Sequence, residues 1–285
     1  MKRLLVLDFD GTMTDAEVEG APFRRGYLED VAAIAGAPLD EVLALADRFE
    51  DQVRREVGAH GWVFGGHIVA PASVDPYLRV MPVARMVLDA LGAPIPEPAR
   101  GRLLEAVLFK YNYPKTATAF RPGAGPLLRA LGERADLDVW IVTNSHTEPV
   151  QNKLRALGAR PDGGNDLDWL IPRVRGRAQK YVLDPQFDAV PESLTLPGLD
   201  RPVMLRRRAY HAVLDGLRAA LGVGWDEVRV YGDIFELDLA LPLALGASVA
   251  LAANAHTPAY ERAYLSQHPR ARLLGGPEDV LAWLG

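Results

Sequence analysis

The chain has 285 residues, enough for one large domain or for a core domain with a smaller one. With 49% hydrophobic and 24% charged residues it has the composition of a soluble globular protein, and its net charge of −5 gives no reason to expect nucleic acid or a membrane surface as a partner. Cysteine is absent, which excludes disulfides, thiolate metal sites and cysteine nucleophiles. No apolar run approaches the roughly 20 residues that span a bilayer, and the apolar stretch at the amino terminus is too short for a signal peptide. We therefore expect a cytoplasmic protein.

Short apolar runs alternate with helical patterns over much of the chain. The runs that suit strands buried on both faces are 2–7, 138–142, 169–171, 228–231 and 248–252. Helical patterns lie between them, each stopped by a glycine, such as 151–157 and 208–221. This alternation predicts an α/β fold, a doubly wound parallel sheet with its site at the carboxyl ends of the strands.

Residues 16–119 depart from this alternation. They are predicted to form helices and no convincing strand, with the helices near 27–35, 39–57, 76–91 and 98–111. The first strand is therefore followed by a helical insertion at 16–119, and the core comprises 1–15 and 120–285. Helical modules inserted over the carboxyl edge of a sheet commonly act as lids. If this insertion is a cap, its cations Arg24, Arg25 and Lys115 could meet a substrate. A second irregular stretch, 184–202, is rich in proline and is predicted to be an ordered loop.

The first predicted strand ends in two carboxylates, Asp8 and Asp10, followed at once by Gly11. Alternation along a strand gives positions 8 and 10 the same parity. Two carboxylates at a strand end repel each other unless a cation or a proton lies between them. Taken alone, the pattern also fits a surface Asp-Gly turn.

A later strand, 138–142, leads into Thr143 and Asn144, just before a predicted helix start. A hydroxyl and free backbone amides at a helix start are groups that bind phosphate. Capping by Ser145 or Thr147 would explain the helix start but leaves Thr143 without a role.

The strand at 228–231 leads into Asp233 and Asp238, in a segment that is otherwise strongly apolar. A capping role would account for Asp233 and not for Asp238. Hard oxygen ligands without cysteine predict Mg²⁺ rather than zinc.

The chain offers two candidates for a cation at this site. Lys180 follows the third predicted strand, and the run Arg206, Arg207 and Arg208 opens the helix that precedes Asp233. Three arginines at a helix amino terminus oppose the helix dipole and call for an acidic partner, although a solvated face would also explain them.

Together these motifs resemble the haloacid dehalogenase-like (HAD) hydrolase superfamily. The segment Asp8-Phe9-Asp10-Gly11-Thr12 matches its DxDGT motif, Thr143-Asn144 its second motif, and Gly232-Asp233 with Asp238 its GDxxxxD motif. Lys180 is the best match to the third-motif cation, but extra residues separate it from the expected helix, which keeps the three arginines as rivals. An insertion directly after the first motif corresponds to a C1-type cap.

The resemblance implies a role for each matched residue. Asp8 would be the nucleophile, forming an aspartyl-phosphate, and Asp10 would protonate the leaving oxygen and then activate water. Asp8, the Asp10 main-chain carbonyl and Asp233 would hold Mg²⁺, with Asp238 binding or orienting that shell. The phosphoryl oxygens would be bound by Thr143, Asn144 and Lys180.

The expected function is therefore a Mg²⁺-dependent phosphomonoester hydrolase acting on a small phosphorylated metabolite. Dehalogenation expels halide, which needs no proton, so Asp10 favours phosphoryl chemistry. A phosphotransferase or phosphomutase on the same scaffold is an alternative, and a non-catalytic binding protein is a weaker one, since it has no physical need for four acids. Neither nucleic acid nor a membrane is expected as a partner, and a homodimer is left open.

Overall fold

The computed structural model describes residues 2–111 and 118–285. Its strands, in chain order, are β1 Arg3–Leu7, β2 Gly61–Phe64, β3 His67–Pro71, β4 Leu137–Val142, β5 Val174–Arg175, β6 Ser193–Leu194, β7 Val203–Met204, β8 Val228–Gly232, β9 Ser248–Ala252 and β10 Ala271–Leu274. Its α-helices are α1 Ala16–Ala35, α2 Leu39–Arg55, α3 Pro76–Ala90, α4 Ala99–Tyr111, α5 Ala124–Gly132, α6 Thr147–Gly158, α7 Arg208–Leu221, α8 Ala240–Ala244, α9 Ala259–Gln267 and α10 Val280–Leu284. No described helix is both long and apolar enough to cross a bilayer.

The chain divides into two compact units. The core unit comprises Met1–Asp15, Phe64–Ala70 and Phe120–Gly285, and the helical unit comprises Ala16–Val63 and Pro71–Ala119. The short segment Phe64–Ala70 therefore groups with the core unit, although it lies within the inserted part of the sequence.

The core unit is built on a six-stranded sheet with the order β10-β9-β8-β1-β4-β5, in which every neighbouring pair is parallel. The central strand β1 is almost completely buried from Leu4 to Leu7, as expected for a strand covered on both faces. The prediction of an α/β, doubly wound parallel sheet is confirmed. The register pairs Leu7 with Ile141 of β4 and with Tyr231 of β8. The residues that follow these three strands therefore meet at one edge of the sheet.

The strand predicted at 169–171 was wrong. Ile171–Arg173 forms a 3₁₀ turn, and the strand that pairs with β4 comes later, at Val174–Arg175. Pro172 lacks an N–H and has a fixed φ, which suits the first turn of a helix better than a sheet ladder. The apolar side chains of Trp169 and Ile171 instead pack, partly buried, against the core of the sheet.

The helical unit contains α1, α2, α3 and α4 around an apolar cluster of its own. Helix α1 begins at Ala16, earlier than predicted, because burial of Phe23 and Tyr27 outweighs the low helix propensity around them. On α3, the Asp75 carboxylate accepts hydrogen bonds from the amides of Tyr77 and Leu78 and caps the helix.

The expectation that 16–119 holds no strand was also wrong, because β2 and β3 form a two-stranded hairpin. Gly65 and Gly66 connect them with φ values of +58° and +83°. Positive φ at both central residues defines the type I′ turn that suits a two-residue hairpin loop. The Gly-Gly pair between short apolar runs was the sequence signal that predicts this hairpin.

Candidate active site

The site lies where β1, β4 and β8 end. The Asp8 N–H donates to the carbonyl of Tyr231 at 2.8 Å, so the pairing of β1 with β8 continues one residue into the first motif. Beyond it the chain turns sharply, with the Met13 N–H donating back to the Phe9 carbonyl at 2.8 Å. This turn keeps Asp8 at the sheet edge and leaves Phe9 completely buried beneath it.

Three buried carboxylates meet at this edge. Asp8, Asp233 and Asp238 each contribute an oxygen to a cluster whose members lie within 4.8 Å of one another. Asp238 belongs to a π-helical turn, Phe235–Leu239, and its Oδ2 accepts the Ile234 N–H at 3.0 Å. This local bond fixes the direction of the Asp238 side chain, and π-helical turns occur frequently at functional sites.

Thr12 and Gly11 hold the first motif against Asp233. The Thr12 hydroxyl oxygen lies 2.9 Å from Asp8 Oδ2 and 2.9 Å from Asp233 Oδ1. A hydroxyl has one proton, so it satisfies only one of these oxygens at a time. Gly11 has φ of +79°, and a Cβ there would lie 2.2 Å from Asp233 Oδ2. The carboxylate of Asp233 thus occupies space that only glycine leaves open.

Lys180 is the cation within the cluster. Its Nζ lies 2.7 Å from Asp8 Oδ1 and 2.7 Å from Asp238 Oδ1, and the side chain is only 1% exposed. Burial lowers the pKa of Lys180, but the attraction of Asp238 and Asp8 outweighs this and holds it above its usual range. The pKa of Asp8 is raised to about 7, chiefly by burial; the attraction of Lys180 opposes this rise, and the negative charges of Asp238 and Asp10 contribute to it.

Lys180 lies at the end of an irregular loop, 176–180, which places its side chain at the site. The N–H of Ala178 donates to the Thr143 carbonyl at 3.0 Å, and the N–H of Lys180 donates to Asn144 Oδ1 at 2.8 Å. Arg177 and Gln179 both have positive φ, +54° and +51°. Such backbone is costly for side-chain-bearing residues and marks a loop held by its surroundings. Asn144 therefore binds the backbone of Lys180 in this structure.

The three arginines lie elsewhere. Arg206 donates to the carbonyl of Pro185 at 2.7 Å, and Arg208 pairs with Asp184. Arg207 is completely buried and donates to main-chain carbonyls, that of Lys180 included. Of the four candidate cations, Lys180 is the one that contacts the carboxylates of Asp8 and Asp238.

Asp10 lies at the rim of the cluster, with its side chain 35% exposed. Its Oδ2 is 3.5 Å from the Thr143 hydroxyl, and its Oδ1 is 3.3 Å from the Nζ of Lys153 on α6. Lys153 was missed by sequence reasoning. Its only sequence signal is its place on the helix that follows the second motif, next to the buried Leu154.

Two of the three cations proposed from the inserted segment form ion pairs with nearby carboxylates. Arg24 pairs with Asp47 and Glu50, and Arg25 pairs with Glu29 at 3.1 Å, all within the helical unit. Lys115 lies outside the described residues.

Comparison with known proteins identifies the fold. No protein-family model matches the chain, and no curated protein sequence matches it. Many solved structures do match, and they include proteins described as haloacid dehalogenase-like or as a HAD-hydrolase. The chain therefore has the fold of the HAD-like hydrolases, as its motifs predict.

Three of these structures illustrate the likeness. A predicted phosphoglycolate phosphatase from Haemophilus somnus is 16% identical, with a TM-score of 0.56, and the match covers 100% of this chain and 98% of that one. A candidate HAD-hydrolase from Bacillus subtilis, YfnB, bound to magnesium, is 15% identical with a TM-score of 0.53, covering 100% and 99%. A haloacid dehalogenase-like protein of unknown function from Agrobacterium tumefaciens is 14% identical with a TM-score of 0.52, covering 100% and 98%.

Proposed function

We propose that this protein is a Mg²⁺-dependent phosphomonoester hydrolase that forms an aspartyl-phosphate on Asp8 and acts on a small phosphorylated metabolite. The observation that carries the proposal is the position of the Asp8 carboxylate, at the edge of a HAD-like sheet and in contact with Lys180 at 2.7 Å. In its ionised form the Asp8 carboxylate can attack phosphorus directly, and an adjacent ammonium can stabilise the charge on the transferring group. The inserted segment 16–119 is proposed to be a C1-type cap.

The cluster fits a divalent metal ion. Three buried carboxylates and one ammonium leave a surplus of negative charge, and the raised pKa of Asp8 reflects its burial and that surplus. Carboxylate and carbonyl oxygens are the ligands that Mg²⁺ prefers. The carboxylates of Asp8 and Asp233 and the main-chain carbonyl of Asp10 would hold the ion, and Asp238 would bind or orient its shell. When bound, the ion would neutralise charge between the nucleophile and the phosphate.

The first half of the reaction uses Asp8 and Asp10. An oxygen of Asp8 forms a bond to phosphorus while the bond from phosphorus to the ester oxygen breaks. Asp10, in its protonated form, gives its proton to that leaving oxygen, and the alcohol departs. Thr143, Asn144 and Lys180 are proposed to hold the phosphoryl oxygens during the transfer.

The second half returns the enzyme to its starting state. The Asp10 carboxylate takes a proton from water, the water oxygen bonds to phosphorus, and the bond from phosphorus to Asp8 breaks. Inorganic phosphate leaves and Asp8 is a carboxylate again. The partly exposed position of Asp10 at the rim supports this role, because both the leaving alcohol and the entering water must reach it.

The test is phosphate release from a panel of phosphomonoesters, with and without Mg²⁺, for the wild type, Asp8→Asn and the exposed control Asp226→Asn. We expect Mg²⁺-dependent turnover by the wild type and the control, and a loss of at least about 10³-fold for Asp8→Asn. Acid quenching followed by peptide mass spectrometry should locate a phosphoryl group on Asp8. The absence of turnover on every ester, or an Asp8→Asn variant equal to wild type, would refute the proposal. Transfer to a sugar hydroxyl with slow phosphate release would instead indicate a phosphotransferase.

A further inference from the structure

Lys153 is held in place by the core of the protein. It lies on α6, whose neighbouring side chains Val150 and Leu154 are 1% and 0% exposed and pack against the sheet. Because these two residues anchor the helix, the backbone at Lys153 has little freedom to move. The first motif lies directly beside it.

Two groups of the first motif contact the Lys153 ammonium. Its Nζ lies 3.3 Å from Asp10 Oδ1 and 5.7 Å from the centre of the Phe9 ring. Phe9 is itself completely buried and packs edge-on against Phe120, with ring centres 6.2 Å apart. A cation bounded by a fixed aromatic ring and a carboxylate is more confined than a surface lysine.

The Asp10 carboxylate is in turn contacted at both oxygens. Lys153 binds Oδ1, and the Thr143 hydroxyl lies 3.5 Å from Oδ2. The side chain of Lys153 is 21% exposed and that of Asp10 is 35% exposed, so the pair is partly screened by water and partly shielded by protein. This arrangement leaves Asp10 accessible to a leaving group while restricting its orientation.

We propose that Lys153 is a positioning residue that orients the Asp10 carboxyl group toward the oxygen of the leaving group. The inference rests on the proposed function. As the ester bond from oxygen to phosphorus breaks, the Asp10 proton moves to that oxygen, and the contact with Lys153 keeps the Asp10 carboxyl group in place for this transfer. Lys153 keeps its own proton throughout and forms no bond to substrate.

This role predicts a dependence on the leaving group. Protonation matters greatly for a basic leaving oxygen and little for one that departs readily as an anion. Loss of Lys153 should therefore slow hydrolysis of phenyl phosphate much more than hydrolysis of p-nitrophenyl phosphate, which has nearly the same shape. A lysine that bound the phosphate itself would affect both esters alike, and an ordinary surface ion pair would affect neither.

The experiment measures kcat/KM on both esters for the wild type, Lys153→Met, Lys153→Arg and the control Arg155→Met. Arg155 lies on the same helix but contacts Asn152, at 2.7 Å. For Lys153→Met we expect a loss of about 10-fold or more on phenyl phosphate and less than about 3-fold on p-nitrophenyl phosphate. Lys153→Arg should recover most of the difference, and Arg155→Met should match the wild type on both.

Equal losses on the two esters, or none on either, would overturn the inference while leaving the proposed function intact. Melting temperatures of the variants identify any that are misfolded, and the ratio of the two rates within one variant is independent of its folded fraction. If the wild type hydrolyses neither ester nor any other phosphomonoester, the proposed function fails and the inference fails with it.

Discussion

The guanidinium of Arg207 donates a hydrogen bond to the main-chain carbonyl of Lys180, the residue whose ammonium binds Asp8. Arg207 also donates to the carbonyls of Met204, at 3.1 Å, and Val69, at 3.0 Å. It is completely buried, and burial lowers its pKa to about 10, so it stays charged at neutral pH. The Arg207 side chain thus connects three separate segments of the core unit and fixes the backbone of Lys180, the cation of the site.

Replacing Arg207 should therefore cost both stability and activity. Arg207→Met leaves buried carbonyls without donors, and we expect a loss of about 3 kcal/mol or more in the free energy of unfolding. The proposed phosphatase activity should fall as well, because the Lys180 backbone loses its hydrogen bond from Arg207. The neighbouring Arg208→Met, which breaks an exposed pair with Asp184, should cost less than about 1 kcal/mol. Urea denaturation measures both, and equal losses for the two variants would contradict this account of Arg207.

Gly11 is predicted to be required for the geometry of Asp233. Gly11→Ala introduces a methyl group into the position of Asp233 Oδ2 and places alanine at φ of +79°. The left-handed backbone costs roughly 1–2 kcal/mol, and displacement of the carboxylate should abolish most of the activity. Gly222 at the end of α7 has φ of +76° with open space around it, so Gly222→Ala provides the same strain without the clash. Full activity in Gly11→Ala would contradict the prediction.

Mg²⁺ should stabilise the protein through Asp233. A ligand that binds the folded state at a hundredfold excess over its Kd adds about 2.7 kcal/mol, which should raise the melting temperature of the wild type by several degrees. Asp233→Asn removes a charged oxygen ligand and should weaken Mg²⁺ binding by at least about 10-fold. Thermal melts across a Mg²⁺ titration measure this without reference to activity. The exposed Asp162→Asn is the control, and an undiminished shift in Asp233→Asn would remove that residue from the metal site.

Glu261 should make stability depend on pH. It is fully buried on α9, where burial raises the pKa of its carboxyl well above the usual 4.5 and Glu236 raises it further. The folded state therefore holds this proton more tightly than the unfolded chain does. The resulting stabilisation is complete below pH 4.5 and is lost as the pH rises toward the raised pKa.

The neutral variant Glu261→Gln tests this directly. At neutral pH it should exceed the wild type in free energy of unfolding by at least about 1 kcal/mol, because it has no carboxyl group to keep protonated. The advantage should shrink as the pH falls toward 4.5. Denaturation across this pH range measures the difference, with the exposed Glu133→Gln as the control. A difference that does not change with pH would show that Glu261 is ionised in the fold.

The local sequence pattern was sufficient to predict the fold class and the strand ends at which the candidate site residues lie. Hydrophobic runs that end in Asp8, Thr143 and Asp233 predicted strands with polar termini, because burial of a parallel strand is visible in consecutive apolar residues. The same pattern failed at 169–171, where apolar side chains pack on the sheet from a turn. It also failed at the β2–β3 hairpin, which the sequence indicates by its Gly-Gly turn rather than by a long apolar run.

Only the tertiary structure determines which side chains contact one another. The choice among Lys180 and the three arginines depended on a loop with two positive φ values and on the pairing of β4 with β5. The contact between Lys153 and Asp10 joins residues on different elements, with no spacing rule to predict it. Strand termini can be inferred from neighbours along the chain, whereas contacts between distant side chains follow from strand order, register and the packing of helices on the sheet.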